Sequence, residues 1–324
     1  ILILLTGLII SLSAATIFVN DNAYGLNNGS SWINAYNSFQ TALNNSVSGD
    51  QIWVASGVYK PSQSYDLPNS LRYYHFRMKS GVAIYGGFNG TETAVNQRTD
   101  FAHGGSNETV LSGDTGTESD DSDNCYHVFY HPAGINLYST AVLDGFTVTG
   151  GNADGTNPHF YGGGMYNVYC SIKVNNCEFI SNSAYYGGAI CNQGASPDMT
   201  GCRFTGNSAN MSGGAIYSTE YDSFPLVKYC TFTTNSAGSG GAISAQSSLL
   251  HVNYSVFTNN SATNNGGGIY CSAGSSFNLN NSTFSTNTSG YGGALYSSEG
   301  SSYDIVNCDF ISNSVSHRGG AVYN

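Results

Sequence analysis

The chain has 324 residues, of which 9% are charged, and it carries a formal net charge of −11 with only nine lysines and arginines. Aromatic residues make up 13% of the chain, so the low charge does not indicate disorder. Such a composition excludes a basic surface that could neutralise phosphates. We therefore expect neither nucleic acid nor an anionic membrane surface as a partner.

The first fifteen residues have the composition of a secretory signal. Residues 1–10 form an apolar run, and Ser13, Ala14 and Ala15 are small side chains of the kind that a signal peptidase accepts. The run is too short to span a membrane as a helix. No methionine and no basic segment precede it, so we expect a truncated start. The mature chain would then begin with a strand at Thr16.

One short helix is predicted near the N terminus, over about residues 32–47. Apolar side chains recur there at intervals of three and four residues, which places them on one helical face: Trp32, Tyr36, Phe39, Leu43 and Val47. Ser30 or Ser31 can cap the start of this helix, and Gly49 can end it. We expect it to cover the apolar interior and the open strand edges at this end of the molecule.

The densest acidic segment lies between two strand-like runs. Its carboxylates belong to Asp114, Glu118, Asp120, Asp121 and Asp123. Several carboxylates together can hold calcium, although the spacing and the glycine of a calcium loop are missing. We favour a solvated loop and keep Asp114, Asp120, Asp121 and Asp123 as a candidate calcium site. No other cofactor is expected.

From Gly162 onward, a phrase of two glycines, a small residue and an aliphatic residue occurs seven times. The copies follow one another at 25 to 27 residues and begin at Gly162, Gly187, Gly213, Gly240, Gly266, Gly292 and Gly319. Such a steady period indicates one supersecondary unit stacked on itself. The chain ends directly after the last copy, so we expect a truncated C terminus.

A second phrase, Phe-x-x-Asn, runs in phase with the first. Its copies begin at Phe179, Phe204, Phe232, Phe257, Phe284 and Phe310. Apolar or small residues alternate before each Phe, which is the period of a strand, and a skipped position marks a corner. We expect the Asn182 column to form another corner, because Asn tolerates left-handed backbone angles. Three short strands per coil predict an all-β, right-handed, single-stranded parallel β-helix.

Four cysteines share the inward parity of the Phe column, namely Cys177, Cys202, Cys230 and Cys308. Neighbouring coils would bring them close enough for disulfides, which an oxidising compartment would permit. Because Ser255 and Ser282 occupy the same column, we favour a buried ladder of thiols.

These phrases, seen in Phe204–Asn207 and Gly213–Ile216, resemble the polymorphic outer membrane protein repeat. The resemblance covers nearly all of residues 16–324. It implies a secreted right-handed parallel β-helix with a pectate-lyase-like fold, displayed at the cell surface or outer membrane and implicated in adhesion. The chain then divides into a signal segment (1–15), an N-terminal cap (16–60), early coils with loops (61–161) and regular coils (162–324).

Five tyrosines follow the inward aliphatic residue of the glycine phrase and should face outward: Tyr166, Tyr217, Tyr270, Tyr296 and Tyr323. Stacked tyrosines can bind sugars or proteins, although coil stacking alone can also select tyrosine in such a column.

We therefore expect a non-catalytic, secreted or cell-surface adhesin or passenger that binds glycans or extracellular proteins. Its only membrane attachment would be a missing C-terminal anchor. A polysaccharide lyase or hydrolase on the same fold is the alternative, with its site near the acidic segment. A purely structural spacer is a third possibility.

Overall fold

The structure, a computed structural model, describes residues 14–65, 67–221, 223–272 and 274–324, so most of the predicted signal segment lies outside the described residues. Within these ranges the chain forms a parallel β-helix whose strands make four sheets, of 10, 9, 7 and 8 strands. The expectation of three strands per coil is wrong. The segment after the Asn182 column forms a further strand, Ser183–Tyr186, before the next glycine pair. No helix in the described ranges is long and apolar enough to cross a membrane.

We number the sheets in the order in which a coil passes through them. Sheet 1 carries the Val174 column and contains Thr16–Val19, Gln51–Ala55, Ala83–Phe88, Val142–Asp144, Lys173–Asn175, Asp198–Thr200, Leu226–Lys228, Leu249–Asn253, Ser276–Asn280 and Ser302–Val306. Sheet 2 carries the Phe179 column and contains Gly57–Tyr59, Thr109–Ser112, Thr147–Thr149, Glu178–Ile180, Arg203–Thr205, Thr231–Thr233, Val256–Thr258, Thr283–Ser285 and Asp309–Ile311.

Sheets 3 and 4 complete each coil on either side of the glycine pair. Sheet 3 contains Asn152–Ala153, Ser183–Tyr186, Ser208–Ser212, Ser236–Ser239, Ser261–Asn265, Thr288–Tyr291 and Ser314–Arg318. Sheet 4 contains Phe129–His131, Met165–Val168, Ile190–Gln193, Ile216–Thr219, Ile243–Gln246, Ile269–Cys271, Leu295–Ser297 and Val322–Tyr323. The predicted first strand at Thr16 is confirmed as part of sheet 1.

The glycine pair forms the corner between sheets 3 and 4. Its first residue has a positive φ in all seven copies, between 57° and 74°, which glycine adopts without strain. The second residue lies against the next coil. A Cβ on Gly214 would lie 2.1 Å from the carbonyl oxygen of Gly241, so a side chain there would push the coils apart. The repeat phrase is thus a requirement of close coil stacking.

The asparagine column forms a buried hydrogen-bonded ladder. The side chain of Asn235 is fully buried, and its Oδ1 accepts hydrogen bonds from both the backbone N–H and the Nδ2 of Asn207, each at 3.0 Å. Its own Nδ2 donates to the carbonyl oxygen of Phe204 and to Oδ1 of Asn260. The predicted corner at this column is confirmed between sheets 2 and 3. The left-handed angle belongs to the preceding residue, however, as Thr234 shows with φ of 54°.

The Phe column stacks along the core beside this ladder. Phe232 is fully buried, with its ring centroid 4.7 Å from that of Phe204 and 4.6 Å from that of Phe257, and the ring planes are within 5° of parallel. Parallel register repeats each ring contact in the next coil, so these contacts follow directly from the sequence period.

The α-helix of the described chain is shorter than predicted and spans Phe39–Asn45. Ser38, rather than Ser30 or Ser31, caps it by accepting a hydrogen bond from the Thr41 N–H, and Ser46 rather than Gly49 ends it. Trp32 and Tyr36 lie before the helix because tertiary contacts hold them there. Trp32 Nε1 donates to the Glu92 carbonyl oxygen, and Tyr36 forms a β-bridge with Val19.

The helix nonetheless packs on the end of the core, as expected of a cap. Phe39 and Leu43 are buried, and the Phe39 ring lies 4.8 Å from that of Phe76. Val47 follows the helix and remains exposed.

All eight cysteines are free thiols, which confirms the preference for a thiol ladder over disulfides. Burial raises the pKa of the Cys177 thiol to about 12 and that of Cys202 well above its usual value. Both groups therefore remain protonated and pack as small apolar side chains. Cys308 in the last coil is only partly buried.

Candidate functional site

Sheet 4 carries one continuous column of outward-facing residues, which we call the tyrosine face. Parallel register aligns its members as Tyr130, Tyr166, Cys191, Tyr217, Ser244, Tyr270, Tyr296 and Tyr323. The five predicted tyrosines thus share one column, and Tyr130 extends it into the early coils. Its ring stacks on that of Tyr166 at a centroid distance of 5.4 Å and 10° between planes.

The prediction that all five tyrosines are exposed is wrong for the first two. Tyr166 and Tyr217 are only 3% and 6% exposed, because Tyr161 and Tyr186 at the corner between sheets 3 and 4 cover them. The Tyr161 ring lies 5.3 Å from that of Tyr166, and the Tyr186 ring lies 4.9 Å from that of Tyr217. This part of the face is a small aromatic core of its own.

Hydrogen bonds fix the covered tyrosines in place. The Tyr166 hydroxyl donates to Oε1 of Gln193, and the Tyr217 hydroxyl donates to Oε1 of Gln246. Gln193 in turn donates from Nε2 to Oε1 of Glu220 at 2.8 Å. Burial raises the pKa of Tyr166 and of Tyr217, so both hydroxyls stay protonated as donors.

The other three predicted tyrosines, Tyr270, Tyr296 and Tyr323, are partly exposed. The rings of Tyr296 and Tyr323 stack at 5.2 Å and 8°, and those of Tyr270 and Tyr296 lie 5.5 Å apart. A cleft of about 540 Å³ opens beside them at the corner between sheets 3 and 4. Its lining consists of Asn265, Tyr291, Tyr296, His317, Arg318 and Tyr323.

A second aromatic cleft, of about 570 Å³, lies on the same corner at the other end of the tyrosine face. Its lining consists of Tyr126, Asp154, Gly155, Thr156, Phe160, Tyr185 and Tyr186. Arg72 holds two of these residues, because its guanidinium pairs with the Asp154 carboxylate and lies 4.1 Å from the centre of the Tyr126 ring. This end of the face therefore offers aromatic rings beside a fixed carboxylate.

Four histidines that the sequence did not group together lie behind this cleft. His127 and His159 contact each other between Nε2 and Nδ1 at 3.1 Å, and His131 contacts Asn167 through Nδ1 at 2.8 Å. Burial lowers the pKa of His127 to about 3, that of His75 to about 3 and that of His131 to about 4. They are neutral near pH 7 and act there as packing groups with satisfied hydrogen bonds.

The carboxylates of the acidic segment accept hydrogen bonds within their own loop, and Asp114 also forms an ion pair with Lys60 at 3.6 Å. The Asp114 carboxylate accepts from Ser119 N–H, that of Asp120 from Ser122 N–H, that of Asp121 from Asn124 Nδ2 and that of Asp123 from Thr117 N–H. Among the described residues, no group of three or more His, Cys, Asp or Glu side chains is arranged to hold a metal ion. The segment therefore has the geometry of a loop ordered by its own hydrogen bonds and tied to the coils through Lys60 and Asn152.

The covering and cleft-lining aromatic residues were missed by sequence reasoning, although a signal was present. A tyrosine directly precedes the glycine pair in three copies, at Tyr161, Tyr186 and Tyr291. That position ends sheet 3 and points along the corner toward the tyrosine face. The residues of the early coils, such as Tyr126 and Asp154, follow no period and gave no such signal.

Comparison with known proteins supports the fold. The family model of the right-handed β-helix region matches residues 165–324, which are the regular coils, and the predicted right-handedness is thereby confirmed. The crystal structure of the pectate lyase Pel9A is similar at a TM-score of 0.45 and 17% identity, covering 95% of this chain and 81% of that chain. A likeness of that degree carries no conclusion about activity. No curated protein matches the chain.

Proposed function

We propose that this chain is a non-catalytic β-helix protein, secreted or displayed at the cell surface, which binds an extended glycan along the tyrosine face. The observation that carries the proposal is the position of the two aromatic clefts at opposite ends of one tyrosine column. Four coils separate Tyr186 from Tyr291, a span of about 19 Å at the spacing of hydrogen-bonded strands. An extended polymer can contact both ends at once.

The chemistry of the face favours a glycan over a protein partner. Rings of the partly exposed Tyr270, Tyr296 and Tyr323 offer apolar surface with a polar hydroxyl, which suits the faces and hydroxyls of sugars. Polar side chains line both clefts, including Asp154 in one and Arg318 in the other. Ligand sites combine such apolar walls with a few placed polar groups. The resemblance to surface-displayed repeat proteins supports the location outside the cell.

The first test incubates the purified protein with immobilised polysaccharides and matrix proteins, and it scores retention and released fragments in the same wells. The proposal expects retention by one or more glycans without fragments. Released fragments would contradict the non-catalytic assignment and favour the lyase or hydrolase alternative. Retention by matrix proteins alone would replace the glycan with a protein partner. Retention by nothing would favour a structural spacer.

A variant pair locates the site. The double change Tyr270→Ala and Tyr296→Ala removes two rings of the face and should weaken glycan binding about tenfold or more, at roughly 1 kcal/mol per lost aromatic contact. Tyr254→Ala is the matched control, since Tyr254 is 50% exposed but follows sheet 1 on another corner. Equal losses in both variants would show that the tyrosine face is not the binding surface. Thermal unfolding followed by circular dichroism checks that each variant is folded.

A further inference from the structure

A third cleft lies at the opposite edge of sheet 4 from the first two, at the corner where the chain turns toward sheet 1. It has a volume of about 480 Å³ and is lined by Tyr169, Thr219, Glu220, Tyr221, Gln246 and Ser247. Thr219 and Gln246 are the last residues of their sheet 4 strands, so this cleft adjoins the tyrosine face directly.

Coil stacking brings a tyrosine ring and a carboxylate together here. Tyr169, Gly194 and Glu220 each follow a sheet 4 strand and occupy one column in three successive coils. Because Gly194 has no side chain, the side chains of Tyr169 and Glu220 occupy the space above it. The point that a Cβ on Gly194 would occupy lies 2.3 Å from Cε1 of Tyr169 and 2.9 Å from Oε2 of Glu220. The carboxylate therefore lies beside the aromatic ring.

Tyr221 forms another aromatic part of the lining. Its hydroxyl oxygen lies 3.8 Å from the point that a Cβ on Gly274 would occupy, so its side chain extends over later coils. Tyr169 and Tyr221 are 57% and 76% exposed, and a ligand can reach both rings. Tyr169 and Glu220 also have left-handed backbones, with φ of 55° and 78°. The same left-handed angle recurs at Gly194 and Ser247, because the corner after sheet 4 turns in the same way in these successive coils.

The Glu220 carboxylate is oriented but its charge is not balanced. Its Oε1 accepts a hydrogen bond from Gln193, which itself accepts from the Tyr166 hydroxyl of the tyrosine face. In the described part of the chain, no lysine or arginine forms an ion pair with Glu220. A negative charge beside the exposed ring of Tyr169 is the arrangement that recognises an ammonium group, through charge attraction and cation–π contact.

We propose that this cleft binds the ammonium group of an amino sugar, so that the glycan on the tyrosine face is one with free amino groups. The inference rests on the proposed function and adds the chemical class of the ligand. The net charge of −11 favours the approach of such a cationic polymer. Gln246 lines the cleft and lies two residues after Ser244 of the tyrosine face, so a glycan that follows this face passes the mouth of the cleft.

Two soluble probes that differ only at nitrogen test this inference. One is an oligomer of β-1,4-linked glucosamine, and the other is its fully N-acetylated counterpart, which carries no positive charge. Calorimetry in mildly acidic buffer, which keeps the glucosamine amines protonated, should show the free-amine oligomer binding about tenfold more tightly, with an advantage that shrinks as salt is added. Equal affinity for both oligomers would overturn the amino-sugar inference and leave the proposed glycan function standing. Binding of neither would contradict both for this class of glycan.

A matched pair of variants assigns the effect to the cleft. Glu220→Gln keeps the shape and removes the charge, so it should lower affinity for the free-amine oligomer about tenfold and leave the N-acetylated oligomer unaffected. Glu299→Gln is the control, because Glu299 holds the same position relative to its glycine pair but is exposed three coils further on. Equal losses in the two variants would show attraction to the overall negative charge and overturn the assignment of the cleft. No loss in Glu220→Gln would also overturn it.

Discussion

The first part of the solenoid, residues 16–161, and the regular coils, residues 162–324, are built on the same four sheets but are stabilised differently. In the regular coils, the buried asparagines of the ladder meet their own counterparts one coil away, as Asn207 meets Asn235. In the first part, buried polar groups meet unlike partners once each, as Arg98 meets Asp144. Repetition gives every asparagine of the ladder the same hydrogen-bond arrangement, whereas the Arg98–Asp144 contact of the first part depends on a single pair of residues.

Acidification should produce the largest difference in stability between the first part and the regular coils. Because burial lowers the pKa of His75 and His127 to about 3 and that of His131 to about 4, the unfolded chain binds protons below about pH 6.5 that the folded chain does not. Their contribution to stability is complete above pH 6.5 and is lost as the pH falls toward 3. Each histidine can lower the free energy of unfolding by up to about 1.4 kcal/mol for each pH unit in this window.

Tryptophan fluorescence can follow this effect, since both tryptophans, Trp32 and Trp53, lie in the first part. Urea unfolding at pH 7.5, 6 and 5 should show falling midpoints. His127→Gln should reduce the change of the urea midpoint with pH, whereas His317→Gln, at an exposed position in the last coil, should not. A constant midpoint from pH 7.5 to 5 would contradict the prediction.

Breaking the asparagine ladder should be the most damaging single substitution in the regular coils. Asn235→Ala removes the acceptor of the Asn207 N–H and of one of the two Nδ2–H groups of Asn207, and the side-chain donor to the carbonyl oxygen of Phe204, all in the interior. At about 1–3 kcal/mol for each unsatisfied group, we expect a loss of about 4 kcal/mol in the free energy of unfolding. Urea unfolding followed by circular dichroism measures it. Asn264→Ala, at an exposed position, is the control, and a loss below about 1 kcal/mol for Asn235→Ala would refute the ladder's importance.

Removing the buried ion pair of the first part should have a somewhat smaller effect. Arg98 and Asp144 have side chains only 9% and 11% exposed, and they are joined at 2.9 Å. Arg98→Met leaves the carboxylate buried without its charge partner, which should cost about 3 kcal/mol. Arg203→Met breaks an ion pair with Glu178 in the regular coils, but Arg203 is 62% exposed. We expect less than about 1 kcal/mol there. Similar losses in the two variants would show that burial does not decide the strength of these pairs.

The smallest effect is expected within the thiol column. In Cys230→Ser, the introduced hydroxyl can donate to the carbonyl oxygen of Lys228, as Ser255 donates to that of Asn253. Because the column already accepts serine, the loss in unfolding free energy should be below about 1 kcal/mol. Cys125→Ser, at a buried position in the first part outside any such column, should cost more. A larger loss at Cys230 than at Cys125 would argue that the thiols of the ladder have a specific role.

The sequence by itself determined the columns of the regular coils, although it missed the strands of sheet 3. Its period defined the parallel register, the inward columns of Phe and Ile, and the alignment of the five tyrosines, because stacking in register turns every sequence repeat into a spatial column. It also indicated the cap helix, although Trp32 was assigned to it wrongly. Periodic spacing cannot show that aromatic contacts and a hydrogen bond to Glu92 hold that residue outside the helix.

Only the tertiary structure decided which tyrosines a ligand can reach and where charge gathers. Tyr166 and Tyr217 have the same sequence position as Tyr296, yet they are covered because Tyr161 and Tyr186 close the corner above them. The cleft at Glu220 exists because Gly194, one coil earlier, leaves room for Tyr169. Such features depend on side chains from different coils meeting at a corner. The sequence period predicts contacts between equivalent residues of neighbouring coils, but it cannot predict contacts at positions where the coils differ.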